Sequence, residues 1–296
     1  MIFLKNTFKK PSFITLLPYL LLTTIFIVIP LLIILIISLT AQGDGQTIND
    51  NFNWIGSFIW NKLLFTIGIA IVSTLIILIV GFPFGFFLSR SKSKSMRIIS
   101  LVLISSPIWL SLLIKVIGIK LLFDSSNGQL NSTFGNIYTI ITLVYLNLPI
   151  FILAVYNVVD NLPENLLSAS KDLGRNNFET FFLVVVPYAK QGIFAGLFLS
   201  FVTCIGATGI TSFVNLSNDG QLIGDIILDL GQTGLSNNIA LARISGLCFV
   251  IATIILGGFL FLYFIPKRIY LYKKSKKLIK ENKTINYLIG VRKNVK

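Results

Sequence analysis

Two Ser-x-x-Lys tetrads, Ser89–Lys92 and Ser168–Lys171, have the residue types and spacing that could do covalent chemistry. In serine acyl-transfer enzymes this spacing sets a lysine beside a nucleophilic serine. Both tetrads lie in short basic stretches, and no supporting catalytic motif accompanies either one. The sequence contains no histidine, which excludes His-based catalysis and His-based metal binding. We therefore predict that the chain is not an enzyme and has no catalytic residue, metal site or cofactor.

Phosphate and thiol chemistry are disfavoured on similar grounds. No Gly-x-x-x-x-Gly-Lys-Ser/Thr loop occurs, so the chain cannot hydrolyse ATP through a P-loop of its own. The two cysteines, Cys204 and Cys248, both lie within apolar runs, as small buried hydrophobic residues do. This position argues against both a disulfide framework and a zinc site.

The composition is that of an integral membrane protein. Hydrophobic residues make up 54% of the 296 residues and charged residues only 12%, whereas soluble domains carry roughly 25% charge. The net charge of +14 could indicate a nucleic-acid partner, but eleven of the 25 Lys and Arg residues follow Ile265. The distribution instead favours a positive-inside bias and contact with the lipid bilayer, and predicts no nucleic-acid partner.

Six apolar runs are long enough to cross a bilayer as helices. They are Phe13–Leu39, Trp60–Leu88, Ile98–Phe123, Ile137–Val159, Ile193–Val214 and Ala240–Ile265. The segments after the first, third and fifth runs contain no Lys or Arg, so we place them outside the cell. The predicted fold is therefore an all-α, multi-pass protein of the cell membrane, with six transmembrane helices and both termini cytoplasmic.

The chain divides into three predicted parts. Residues 1–59 hold a basic segment, the first transmembrane helix and an outside loop. Residues 60–266 form the core transmembrane domain, which includes a cytoplasmic loop at residues 160–192. Residues 267–296 form a basic cytoplasmic tail that is too polar to span a membrane.

The cytoplasmic loop 160–192 is polar and amphipathic in an otherwise apolar chain. Asn161 with Glu164, and Asn176 with Glu179, each form a capping-box pattern that predicts the start of a short helix. Gly174 falls where the first helix must end. Such a pair of capped helices could transmit the movement of a partner to the transmembrane helices on either side.

This loop resembles the conserved cytoplasmic loop of ABC-importer permeases. The match lies in Ser168-Ala169-Ser170, in Asp172-Leu173-Gly174, and in the later Pro187 and Gly192. The family has Glu where this chain has Ser168, and a second Ala where it has Ser170. The resemblance implies a type I importer permease fold in which these residues couple to an ATPase. The implied coupling residues are Ser168, Ala169, Ser170, Asp172, Leu173, Gly174 and Pro187.

The resemblance extends from about Trp60 to Pro266 and is closest to the spermidine/putrescine branch of these permeases. The residues that carry this part include Pro107, Trp109, Tyr145 and Leu148-Pro149. It implies three protein partners, namely a dimer of ATP-binding subunits, a second homologous permease subunit and an extracytoplasmic substrate-binding protein. The implied function is ATP-driven import of spermidine or putrescine.

Several polar residues at membrane depth are candidates for the substrate path. The run Thr203–Gly209 in the fifth apolar stretch either lines a translocation path or packs between helices. The polyamine permeases often carry a Glu at the position of Ala207. Amphipathic residues could also contact an amine. The predicted path residues are Trp109, Tyr145, Asn147, Thr203 and Thr208.

Acidic residues occupy the predicted outside segments. They either steer a cation toward the entrance or form a solvated face. They are Asp44, Asp50, Asp124, Asp219, Asp225 and Asp229. Two Gly-x-x-x-Gly pairs, Gly81 with Gly85 and Gly192 with Gly196, favour close helix packing within one subunit over a dimer seam.

Two alternatives to polyamine import stay open. The same cytoplasmic loop fits a sister permease for another small solute such as iron, thiamine or molybdate. A different class, an ATP-independent channel or secondary transporter, would need no ATPase partner.

Overall fold

The computed structural model describes residues 18–40, 47–125, 132–215, 220–234 and 237–258. These residues form helices and no strand. The helices are α1 (Pro18–Ser38), α2 (Asp50–Asn53), α3 (Ser57–Ser89), α4 (Lys94–Trp109), α5 (Leu112–Ser125), α6 (Ser132–Val159), α7 (Glu164–Asp172), α8 (Asn177–Ile205), α9 (Thr211–Val214), α10 (Ile223–Gly234) and α11 (Asn238–Gly258).

The chain separates into two compact units. One consists of residues 1–36 and 245–296, and the other of residues 37–244. The first unit contains most of α1, which is apolar all round and has none of its most hydrophobic window buried. That exposure fits a helix surrounded by lipid. The predicted basic tail 267–296 lies outside the described residues.

Within the second unit, α3, α6 and α8 pack around a common apolar core. The fully buried side chains include Ile77 of α3, Phe151 and Val155 of α6, and Val185 and Ala189 of α8. Both Gly-x-x-x-Gly pairs point at α6. A Cβ at Gly81 would lie 2.6 Å from Phe151, and one at Gly192 would lie 2.7 Å from Val158. These contacts confirm the prediction that the glycines serve packing within one subunit.

Among the described residues, five helices are long and apolar enough to cross a membrane, and a sixth span is obtained if α4 and α5 count as one. This agrees with six predicted spans, but the prediction of one continuous third helix is wrong. α4 and α5 meet at an angle of 100°. Leu110, at the junction, is extended, with φ −81° and ψ 145°.

Pro107 lies in the last turn of α4, just before the break. Its ring nitrogen carries no N–H, so it cannot donate to the carbonyl oxygen of Leu103. The Ser106 hydroxyl donates to that carbonyl instead, at 2.8 Å. The helix ends two residues after the proline, at Trp109.

The fifth predicted span, Ile193–Val214, also differs from the structure. α8 begins much earlier, at Asn177, and ends at Ile205. The helix contains a π-helical turn at Phe181–Val185 and continues beyond Pro187. Because Pro187 has no N–H, it interrupts the regular series of backbone hydrogen bonds along the helix. The chain then breaks at Gly206–Ile210, where Gly209 has a φ of +74°. The following outside segment is not only loop, because it contains the amphipathic helix α10.

Candidate functional site: the cytoplasmic segment and the membrane path

The cytoplasmic segment is built by α7, the turn at Gly174 and the first turn of α8. Gly174 has a φ of +78°, a left-handed conformation that favours glycine, so α7 stops there as predicted. Asn176 caps α8, since its side chain accepts from the backbone N–H of Glu179 at 2.8 Å. The Glu179 carboxylate accepts from the N–H of Asn176 in return, which confirms the second predicted capping box.

The first predicted capping box, at Asn161 and Glu164, is wrong. α7 begins at Glu164 after Pro163, which makes no side-chain cap. A residue that precedes proline is disfavoured in the helical region, so Leu162 cannot join the helix. The Asn161 side chain instead donates to the carbonyl of Asn157 in the last turn of α6, at 2.7 Å.

Internal contacts hold α7 against the start of α8. The hydroxyls of Ser170 and Thr180 lie 2.9 Å apart, and both residues are buried. The Tyr188 hydroxyl donates to the backbone carbonyl of Asn161 at 2.9 Å. Leu162 is 2% exposed and belongs to the same core as Val185. These contacts therefore connect the segment to the C-terminal end of α6 and to the N-terminal part of α8.

The predicted coupling residues divide into an outer and an inner set. Leu173 is 77% exposed, and Ser168, Ala169, Asp172 and Gly174 are exposed as well. Ser170 faces inward, against Thr180.

Further along, Pro187 is exposed within α8, just after the π turn. Phe178 adds a second large apolar side chain, 72% exposed, which the sequence interpretation did not include. Leu173 and Phe178 are apolar side chains of the kind that dock into a partner's surface.

Two arginines that the sequence interpretation counted only as cytoplasmic charge anchor this segment. The Arg90 guanidinium donates from Nη2 to the carbonyls of Val159 at 2.9 Å and Leu162 at 2.8 Å. It thereby supplies donors and positive charge where α6 ends. Arg97 forms an ion pair with Asp160 at 3.2 Å.

Only two of the predicted path residues are joined by hydrogen bonds in the described structure. Asn147 of α6 is 5% exposed, and the Thr203 hydroxyl of α8 lies within hydrogen-bonding distance of its Oδ1. The Asn147 Nδ2 group donates to the Leu143 carbonyl at 2.9 Å and contacts Cys204 Sγ at 3.4 Å. This polar cluster lies between two apolar helices.

The other predicted path residues do not join this cluster. Trp109 at the end of α4 is 85% exposed, and Tyr145 is 40% exposed. Thr208 lies in the break after α8, where the backbone of Gly224 approaches so closely that an added Cβ would collide with the carbonyl oxygen of Ala207. α10 therefore packs directly on this break.

Asp225 of α10 is the polar anchor of the break. It is fully buried and accepts hydrogen bonds from the backbone N–H of Gly209, from the backbone N–H of Thr211 at 3.0 Å and from the Thr211 hydroxyl. Both interpretations of the outside acids, steering and a solvated face, are thus wrong for Asp225. Its carboxylate satisfies backbone donors that the break in the helix leaves free.

The family model described as "Binding-protein-dependent transport system inner membrane component" matches residues 77–270. The chain belongs to this family. The matched residues include α6, the whole cytoplasmic segment and α8, so the family assignment rests on the region just described. The predictions of an importer permease subunit, of an all-α permease fold and of a place in the membrane are confirmed. The family is one of transport components and not of enzymes.

Curated relatives agree with this assignment. The chain is 35% identical over 267 residues to the "Spermidine/putrescine transport system permease protein PotB homolog" of Mycoplasma genitalium, with 87% of this chain and 93% of the relative covered. It is 28% identical over 223 residues to the spermidine/putrescine transport system permease protein PotB of Escherichia coli, covering 69% and 80% of the two chains.

A solved structure supports the fold independently. The crystal structure of a bacterial ABC transporter involved in the import of the acidic polysaccharide alginate matches with a TM-score of 0.60. The match covers 86% of this chain and 95% of the other, at 14% sequence identity. At this identity the likeness speaks for the fold and not for the substrate.

Proposed function

We propose that this chain is the permease subunit through which an ABC importer moves spermidine or putrescine across the cell membrane. The observation that carries the substrate assignment is the 35% identity, over nearly the full length, to a relative named as a spermidine/putrescine permease homologue. The acidic residues of the predicted outside segments, apart from the buried Asp225, favour a cationic substrate over an anionic one.

We further propose that ATP hydrolysis takes place on a separate dimer of ATP-binding subunits and reaches this chain through α7. Leu173 and Phe178 expose apolar side chains at the turn between α7 and α8, which suits docking into a partner's groove. The contacts between Ser170 and Thr180, and between Arg90 and the end of α6, then pass the displacement of α7 to the membrane helices.

The path through the membrane is proposed to run beside the Asn147–Thr203 cluster. A second homologous permease chain would provide the other wall, and an extracytoplasmic binding protein would deliver the substrate. The Thr203 hydroxyl donates to Asn147 Oδ1, and both side chains carry oxygen atoms that can accept from an ammonium group. Substrate entry would replace the hydrogen bond between Thr203 and Asn147 with one from the ammonium group of the substrate.

Uptake of labelled spermidine into proteoliposomes tests the proposal, with ATP enclosed and the copurified partners present. ATP-dependent uptake that putrescine inhibits is the expected result. Transport of iron, thiamine or molybdate in place of spermidine would refute the substrate while leaving the coupling argument intact. Uptake without any ATP-binding subunit would refute the importer mechanism and favour a channel or secondary transporter.

A further inference from the structure

A recess lies at the predicted outer side of the chain, away from the Asn147–Thr203 cluster and the cytoplasmic segment. It has a volume of about 350 Å³, within the range of small-molecule sites. It forms where the start of α3 and the residues just before it meet α10, and both parts come from predicted outside segments without Lys or Arg. The lining residues are Trp54, Gly56, Phe58, Ile59, Gln221, Ile226, Asp229 and Leu230.

The lining is mostly apolar and carries one charged side chain, Asp229. The Gln221 amide donates to Asp229 Oδ2 at 2.9 Å, which holds the carboxylate in place. The second carboxylate oxygen, Oδ1, is an acceptor that a ligand can use. Asp225, one helical turn earlier, is fully buried and committed to Gly209 and Thr211, so Asp229 is the carboxylate that α10 offers to solvent.

The aromatic side chains fit the hydrocarbon part of a ligand. Phe58 is 61% exposed, and Trp54 lines the recess beside it. The Lys62 ammonium already lies 5.5 Å from the centroid of the Phe58 ring. A second cation is therefore disfavoured over that ring and favoured next to Asp229, with methylene groups on the aromatic rings.

We propose that this recess binds one end of a linear aliphatic amine, with the ammonium group on Asp229 and the alkyl chain on Trp54 and Phe58. The proposal rests on polyamine import as the function of the chain, and it adds a recognition site at the outer entrance. One carboxylate with an apolar floor matches one ammonium group followed by methylenes. A monoamine with a butyl chain is therefore expected to bind, and a butyl chain without charge is not.

Tryptophan fluorescence reports on this recess directly. Trp60→Phe and Trp109→Phe leave Trp54 as the sole tryptophan of the full chain, which is reconstituted in nanodiscs. We expect putrescine and n-butylamine to change the Trp54 emission saturably, and 1,4-butanediol and ammonium chloride to leave it unchanged. Equal responses to butanediol and to butylamine would overturn the proposal, because they would indicate an apolar recess without charge recognition.

Asp229→Asn provides the decisive comparison, and Asp124→Asn is the matched control. Asp124 is another exposed acid of the predicted outside segments and is not part of the recess. Asp229→Asn is expected to weaken amine binding by about three- to tenfold, the range for an exposed ion pair reinforced by hydrogen bonding. Asp124→Asn is expected to leave binding unchanged. Equal affinities of the two variants for putrescine would refute the role of Asp229.

Two further readouts keep the result interpretable. If the tryptophan replacements prevent folding, equilibrium binding of labelled putrescine to the chain with only Asp229 changed gives the same decision. In proteoliposomes, Asp229→Asn should raise the KM for uptake and leave the maximal rate unaltered. Amine binding to the recess, seen in the Trp54 emission, without ATP-driven uptake would refute the import function alone. Normal uptake by Asp229→Asn with an unaltered KM would refute the recess alone.

Discussion

The packing of Phe151 between two glycines makes a quantitative prediction for Gly81→Ala. An added Cβ at Gly81 would lie 2.6 Å from Phe151 Cδ1, closer than real Cβ contacts allow. The ring has little room to withdraw to the other side, because it already lies so close to the Gly196 backbone that a Cβ there would be only 2.8 Å from Phe151 Cδ2. Phe151 is fully buried, so overpacking is expected to destabilise the fold by about 1–3 kcal/mol.

Gly68→Ala in the same helix is the matched control. No atom lies within 4 Å of an added Cβ at Gly68, so this variant reports only the gain in helix propensity, about 1 kcal/mol. The difference between the two variants isolates the steric effect. In soluble domains of 150–250 residues, 1 kcal/mol shifts Tm by about 2–4 °C. A steric cost of about 1–3 kcal/mol therefore corresponds to a difference in Tm of about 2–12 °C between the two variants.

The assay is the thermal midpoint of each purified variant in lipid nanodiscs. Gly81→Ala is expected to melt below Gly68→Ala by that margin, and Phe151→Leu is expected to recover part of the loss when combined with Gly81→Ala. The recovery would appear as non-additivity, since the two sites share one contact. Equal midpoints for the two alanine variants would refute the close packing of α3 on α6.

Three predictions concern transport. Gly174→Val forces a β-branched residue into a left-handed conformation, which costs about 1–2 kcal/mol. ATP-driven uptake should therefore be lost, while the amount of the protein in the membrane stays unchanged. Normal uptake by this variant would contradict the coupling role. Arg90→Ala removes the guanidinium that donates to the carbonyls of Val159 and Leu162, and it should uncouple ATP hydrolysis from uptake, with partial rescue by Arg90→Lys. Asn147→Ala should raise the KM for spermidine in the uptake assay, whereas a packing role alone would lower thermal stability and leave the KM unchanged.

Local sequence signals predicted the parts of the fold that depend on neighbouring residues. The apolar runs located the membrane helices because a bilayer requires long uncharged helices. Asn176 with Glu179 predicted a helix start, and Gly174 predicted a helix end, since both effects act within one turn. The signal failed at Asn161, where Pro163 moved the helix start by three residues.

Features that depend on distant residues were not accessible from the sequence. Asp225 resembles any acid of an outside loop until α10 brings it against the backbone of Gly209. Arg90 resembles any cytoplasmic cation until α3 ends beside the carbonyl of Val159. Pro107 lies within an apolar run, and the hydropathy of the run does not distinguish a kinked helix from a full 100° break. For Asp225 and Arg90, tertiary contact decides a role that composition leaves open.

The central claim is that this chain passes ATP-driven movement from the cytoplasmic segment to a polyamine path. Uptake of labelled spermidine into proteoliposomes that hold the wild-type chain or Gly174→Val, each with its copurified partners and enclosed ATP, tests it most directly. The account predicts ATP-dependent uptake by the wild type that putrescine inhibits, and none by the variant. Equal uptake by both chains, or wild-type uptake that continues without ATP, would contradict it.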